Sequence, residues 1–221
     1  MLASIVCIAV SAAGATPHSH VYRLTAKHGL EANPSLKVAN TVYRGKRAVV
    51  LTEDFDTKFG LLGATVVESD FHNGTIDFDA AGELTKNASQ GARSFVGLAF
   101  RMADDAKKYE CFYLRMTNGR SPDQELRNHA VQYCSYPDYL WSLLRTKRPF
   151  RYEAYTDLQL GTWTHVKISV HGAEAKFYVG HATQPTLIVH NLLMGDTHGK
   201  LALWVGGYTR AYYANLRVRP A

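Results

Sequence analysis

The chain has 221 residues, 46% hydrophobic and 20% charged, proportions that build a buried core and exclude a disordered or collagen-like chain. A formal net charge of +6 favours an anionic partner. Lys and Arg are dispersed along the chain, a pattern that gives no nucleic-acid footprint.

Met1–Ala15 carries no charged side chain and ends in the small residues Ala13-Gly14-Ala15, the pattern of a cleavable export signal, although no Lys or Arg precedes the apolar run. The run is shorter than the roughly 20 residues of a membrane span. The expectation is therefore a secreted or periplasmic chain with no membrane span, residues 16–221 forming one domain. Cys111 and Cys134 remain in that domain, either paired or as buried thiols, and neither has the spacing of a zinc ligand.

From residue 75 onward the chain reads as strands, with period-two alternation between turn residues. Thr75–Asp79 sets Ile76 and Phe78 against Asp77 and Asp79. Ser94–Arg101 places Val96, Leu98 and Phe100 on one face. Glu110–Met116 divides into Phe112, Leu114 and Met116 against Cys111, Tyr113 and Arg115. Asp123–His129 is short and polar and reads as a loop or a single turn. Val131–Ser135 aligns Gln132 with Cys134, and a strand through Tyr152–Leu158 aligns Glu153, Tyr155 and Asp157. Between them, Tyr136–Arg151 is a strand-poor insertion of lid-like length. Trp163–Val170 buries Val166, Ile168 and Val170, and Ala175–Val179, Lys200–Val205 and Tyr212–Val218 repeat the pattern. No amphipathic helix interrupts them. The fold class is all-β, a two-sheet antiparallel sandwich.

Chemistry-bearing side chains concentrate between 115 and 157. Arg115, Asn118, Arg120, Gln124, Arg127, Asn128, Gln132, Tyr133, Tyr155 and Asp157 supply guanidinium, amide and phenol groups that bond vicinal sugar hydroxyls, with Trp141 as a stacking platform. Glu153 and His129 are the candidate catalytic residues. The same residue types also occur as solvated ion pairs and packed edge tyrosines, so the pattern alone leaves both readings open.

The run FYLRMTNGRSPDQELRNHAVQYCS, then RYEAYTDL, resembles a bacterial group in the concanavalin A-like lectin/glucanase superfamily. Trp163, Gly172, Tyr178, Gly199 and Trp204 continue the resemblance, which covers roughly 70–219 and extends to laminin G-like domains and 3-keto-disaccharide hydrolases. It implies a jelly roll of two antiparallel sheets that binds or cleaves glycans on its concave side. The Glu-x-Asp-x-Glu strand motif of family 16 glycoside hydrolases does not occur here. Glu153 and Asp157 stand about 13 Å apart along a strand, against about 5–9.5 Å for a catalytic carboxyl pair, so a partner would have to come from elsewhere, such as Asp123 or Glu125.

Three functions follow. The first is a carbohydrate-binding domain. The second is a glycoside hydrolase with Glu153 as acid or base and Arg120, His129 and Gln132 orienting the substrate. The third is a polysaccharide lyase using Arg127, His129, Gln132 and Tyr133. The basic charge points toward an acidic polysaccharide. No cofactor is expected, and a structural calcium at Asp77 and Asp79 would have only two carboxylates where calcium takes 6–8 oxygens.

Overall fold

The computed structural model describes residues 19–55 and 63–221; residues 1–15, where an export signal is expected, lie outside them. Among the described residues, fifteen strands and two short helices follow in chain order. They are β1 (His20–Val21), β2 (Leu30–Ala32), β3 (Lys37–Tyr43), β4 (Lys46–Glu53), β5 (Gly63–Val66), β6 (Gly74–Leu84), β7 (Phe95–Met102) and β8 (Tyr109–Arg115). Then come α1 (Gln124–Asn128), β9 (Val131–Tyr136), α2 (Trp141–Lys147), β10 (Glu153–Ala154), β11 (Thr164–His171), β12 (Glu174–Val179), β13 (Leu187–Val189), β14 (Lys200–Val205) and β15 (Thr209–Pro220).

The strands form two antiparallel sheets. One runs β13-β12-β11-β6-β15-β4-β3, with β1 added to β15, and the other runs β10-β9-β8-β7-β14-β5-β2. This is a jelly-roll sandwich. The inner faces are the apolar sets of the alternating strands: Val96, Leu98 and Phe100 of β7 and Phe112 and Leu114 of β8 meet Ile76, Phe78, Ile168 and Phe177 in one cluster. Phe112 and Phe177 stack across the sandwich with ring centroids 4.3 Å apart.

The outer face of the seven-stranded sheet is also buried, which alternation alone does not require. Cys111 is fully buried there, Tyr113 is 3% exposed and Gln132 is 1% exposed. Aromatic rings lie flat on this face because small residues stand beneath them. Gly97 is the register partner of both Tyr113 and Trp204, and those two rings stack with centroids 4.8 Å apart. Tyr109 stacks on Tyr136 at 4.9 Å. Cys111 and Cys134 are cross-strand partners on this face and are free thiols.

Three expectations need correction. The strand read through Tyr152–Leu158 stops at Ala154, so Glu153, Tyr155 and Asp157 do not form one strand face. The Tyr136–Arg151 insertion contains α2, whose Leu144 enters the core. Five strands before residue 70 had no counterpart in the alternation pattern. Asp77 and Asp79 do share a face, but their oxygens are engaged: Lys46 and Asn215 each donate to Asp79 at 2.7 Å, His165 is 3.0 Å from it, and Arg219 pairs with Asp77. Among the described residues no group of three or more acidic, His or Cys side chains is placed to hold a metal ion.

A Cβ at residue 97 would stand 2.4 Å from the Phe112 carbonyl oxygen and 2.5 Å from Tyr113 Cβ. Gly97→Ala should therefore destabilise the protein by about 1–3 kcal/mol, the range for overpacking a filled interior. Denaturant unfolding monitored by tryptophan fluorescence measures this, and an unchanged midpoint would contradict the packing described.

Candidate functional site

The site is built at the end of the seven-stranded sheet where β8, β9 and β10 lie side by side. Glu153, Gln132 and Tyr113 occupy one row across these strands. Arg115 is two residues further along β8 on the same face. Its Nη1 donates to the His129 carbonyl at 2.9 Å, and its Nη2 donates to the Tyr113 hydroxyl at 3.1 Å and to Gln132 Oε1 at 3.2 Å. The Gln132 amide group donates in turn to the carbonyls of Tyr133 and Tyr152.

Glu153 is the centre of the arrangement, its side chain only 3% exposed. Arg145 of α2 grips it with two bonds, Nε to Oε1 at 3.0 Å and Nη2 to Oε2 at 2.8 Å. His129 Nδ1 lies 2.8 Å from Oε2 at an ion-pair distance, without the alignment of a hydrogen bond, and Arg115 Nη1 stands at 4.0 Å. This fork of parallel bonds is the pattern of an acceptor-only, ionised carboxylate. Trp141, 46% exposed, carries the Arg145 guanidinium 4.8 Å from its ring centroid, with Arg115 at 5.9 Å. Trp141 and Arg145 share a helix flank through their i, i+4 spacing.

His129 caps the C-terminus of α1. Burial pushes its imidazole pKa below the ordinary value, the Arg145 and Arg115 charges push the same way, and the Glu153 carboxylate opposes them.

The remaining expected residues fall into separate pairs. Arg127 donates to the Tyr155 hydroxyl at 2.8 Å and lies over its ring. Arg120 forks onto Asp157 at 2.7 and 2.8 Å, and that guanidinium holds the Asp157 carboxyl below its usual range. Gln124 donates to Asn128 along α1. Asn118 is buried and donates to the His129 carbonyl at 3.3 Å, which positions backbone and offers nothing to a ligand. Tyr133 is a correction. Alternation along β9 sends it inward, where its hydroxyl donates to buried Glu110 at 2.6 Å. Asp123, a suggested catalytic partner, is spent as the N-cap of α1, accepting from the Glu125 and Leu126 amides. Trp163 belongs to the opposite sheet, where its indole donates to the Tyr43 carbonyl.

Two important members went unnoticed in the sequence. Tyr113 shares a face with Arg115 by simple alternation and could have been found. Arg145 needed α2 to be recognised first.

The same outer face continues for about 20 Å along β8 from Arg115 to Tyr109. At that far end a recess of about 680 Å³ opens between Glu31, Thr65, Lys107, Tyr136 and Pro137.

Comparison with solved structures settles the fold. The chain resembles a carbohydrate-binding module, CBM66 from Bacillus subtilis, with 12% identity, a TM-score of 0.53 and coverage of 92% of this chain and 96% of that one. It resembles the carbohydrate recognition domain of Emp47p at 7% identity and a TM-score of 0.51, covering 96% and 100%. A glycosidic hydrolase matches at 15% identity and a TM-score of 0.51, covering 93% and 96%. The fold is a two-sheet jelly-roll β-sandwich, shared with these proteins. No protein-family model matches the chain, and no curated protein matches it in sequence.

Two predictions follow from the clamp. Glu153→Gln should cost about 2 kcal/mol in unfolding free energy, less than the ~3–5 kcal/mol of a fully buried pair, because Arg145 is 33% exposed. His129 binds its proton less readily folded than unfolded, so its contribution is present above the unfolded value of about 6.5 and declines as pH falls below it. His129→Gln should flatten that part of the stability–pH curve, as measured by thermal melts from pH 7.5 to about 5.

Proposed function

We propose that the protein is a carbohydrate-binding β-sandwich that engages a glycan on the outer face of the seven-stranded sheet, at the end formed by Arg115, Gln132, His129, Trp141 and Glu153. One observation carries this reading: the partners of Glu153 are cations and an imidazole, with no carboxylate among them. Hydrolysis of a glycosidic bond uses two carboxyl groups about 5–9.5 Å apart, one of them protonated to start. A carboxylate gripped at both oxygens by Arg145 is suited to fixing geometry and poorly suited to shuttling protons.

The arrangement offers what sugar recognition needs. Trp141 is a half-exposed ring and Tyr155 is 44% exposed. Arg145 and Arg127 lie beside them, held in place so that little side-chain entropy is lost on binding. The length of the face and the recess near Tyr136 suit an extended chain better than a single sugar. Arg115, Arg120, Arg127 and Arg145 outnumber the carboxylates among them, Glu153 and Asp157, which favours uronate- or sulfate-bearing chains over neutral ones. Export of the chain would place it where such polymers occur. The carbohydrate-binding module and the recognition domain, which share the fold, carry names consistent with this reading.

Glycoside hydrolysis is the second reading, favoured by the glycosidic hydrolase of the same fold and by the buried position of Glu153. It assigns Glu153 a catalytic role, so Glu153→Gln would remove turnover of a substrate that the wild type cleaves.

Calorimetry after a glycan array tests the proposal. Trp141→Ala should weaken the best ligand at least about tenfold, or 1.4 kcal/mol, with the glycan recovered intact. Product released by wild type and lost in Glu153→Gln would replace binding with hydrolysis. Absence of binding to any glycan would overturn both.

A further inference from the structure

The insertion between β9 and β10 has a second flank that the glycan site does not use. Trp141 and Arg145 face Glu153. Tyr139, Leu143, Lys147 and Arg148 instead line a recess of about 420 Å³ completed by Leu144, Tyr152, Asn191 and Leu193. Tyr139 is 40% exposed and Leu143 41% exposed, and Phe150, just beyond, is 73% exposed. Tyr139 and Leu143 line the same recess, and apolar side chains grouped in water mark an interaction surface.

Phe150 adds a separate observation. Its φ is +64°, a left-handed conformation that a bulky L-residue adopts at a steric cost and that glycine adopts freely. The ring gains no burial within this chain to offset that cost. Eight other described non-glycine residues share a positive φ, exposed Arg44, Glu68 and His181 among them; Phe150 differs in holding a large apolar ring in water at such a position.

The charge of the segment narrows the partner. Between 137 and 151 the only acidic residue is Asp138, against Arg145, Lys147, Arg148 and Arg151. Glu153 neutralises Arg145, which leaves three cations beside the apolar side chains. Exposed Leu143 offers a sugar neither a hydrogen bond nor a flat stacking face. Basic groups flanking Leu, Phe and Tyr match the boundary between headgroups and acyl chains in an anionic bilayer.

We infer that residues 139–151 dock the protein onto an anionic lipid surface, with Tyr139, Leu143 and Phe150 entering the headgroup boundary and Lys147 and Arg148 meeting the headgroups. The protein lies on such a surface and does not cross it. Docking there leaves the Trp141 flank of α2 facing the glycan site, so the two contacts are independent and either stands without the other.

Sedimentation of the full chain with phosphatidylcholine vesicles, with and without phosphatidylglycerol, tests this. The wild type should co-sediment with the anionic vesicles only and be released by salt, as the screening length falls from about 10 Å at 0.1 M to about 3 Å at 1 M. The double variants Leu143→Glu/Phe150→Glu and Lys147→Glu/Arg148→Glu should each lose at least about tenfold in partitioning, with thermal melts confirming that both are folded. The apolar first fifteen residues are common to all three proteins, so lipid binding that persists in both variants would overturn the inference. So would the absence of vesicle binding. Binding to soluble polygalacturonate that depends on Lys147 and Arg148 but not on Leu143 and Phe150 would assign the segment to an acidic polymer instead.

Discussion

The Glu153 carboxylate is the group on which the geometry of the site depends. It is almost fully buried, and such a charge is tolerated only when its oxygens are matched. The matching comes from three other parts of the chain: Arg145 of α2, His129 at the end of α1, and Arg115 of β8. A two-residue strand and two helices of five and seven residues would be marginal on their own. Joined through one carboxylate, they form a fixed edge to the sheet. The cations it holds are then presented in a defined arrangement, with Trp141 stacked against one of them.

The other constraint is the flatness of the outer sheet face. Gly97 stands where any side chain would collide with Tyr113, and the stack of Tyr113 on Trp204 forms in that space. Burying both faces of a sheet edge is unusual for an antiparallel sheet with solvent on one side. Here it produces an aromatic floor joined to a cationic rim. The opposite sheet has its own aromatic group, Tyr43 stacked on Tyr212 with Trp163 edge-on, but its charges are cross-linked into a ladder through Asp77 and Asp79. Those groups are committed to holding the sheet.

Much of the fold was legible because strands facing a core must alternate. Val96, Leu98 and Phe100, or Val166, Ile168 and Val170, declare their inner face in any order of the sheets. Before residue 70 the alternation is broken in two ways: β3 sits at a sheet edge and is mostly exposed, so its residues carry no hydrophobic period, while β4 buries the consecutive residues Ala48, Val49, Val50 and Leu51 and so shows no period of two. The helix α2 was missed because its N-cap is Leu140, with no side-chain bond to mark the start. That omission hid Arg145 and with it the partner that defines Glu153. Tyr133 shows the opposite case, since alternation that turns Gln132 outward also turns Tyr133 into the core. Reading polar residue types without applying the period put Tyr133 in the candidate site.

The chain's three tryptophans report on the central claim separately. Trp141 stands at the rim of the proposed site, Trp204 on the floor of the same face, and Trp163 on the opposite sheet. The most direct measurement is the set of indole N–H signals in a proton–nitrogen NMR spectrum as an uncleaved oligosaccharide is added. The account predicts that the Trp141 and Trp204 signals move together and saturate while the Trp163 signal stays in place. Movement of Trp163 with Trp141 and Trp204 unchanged would contradict it.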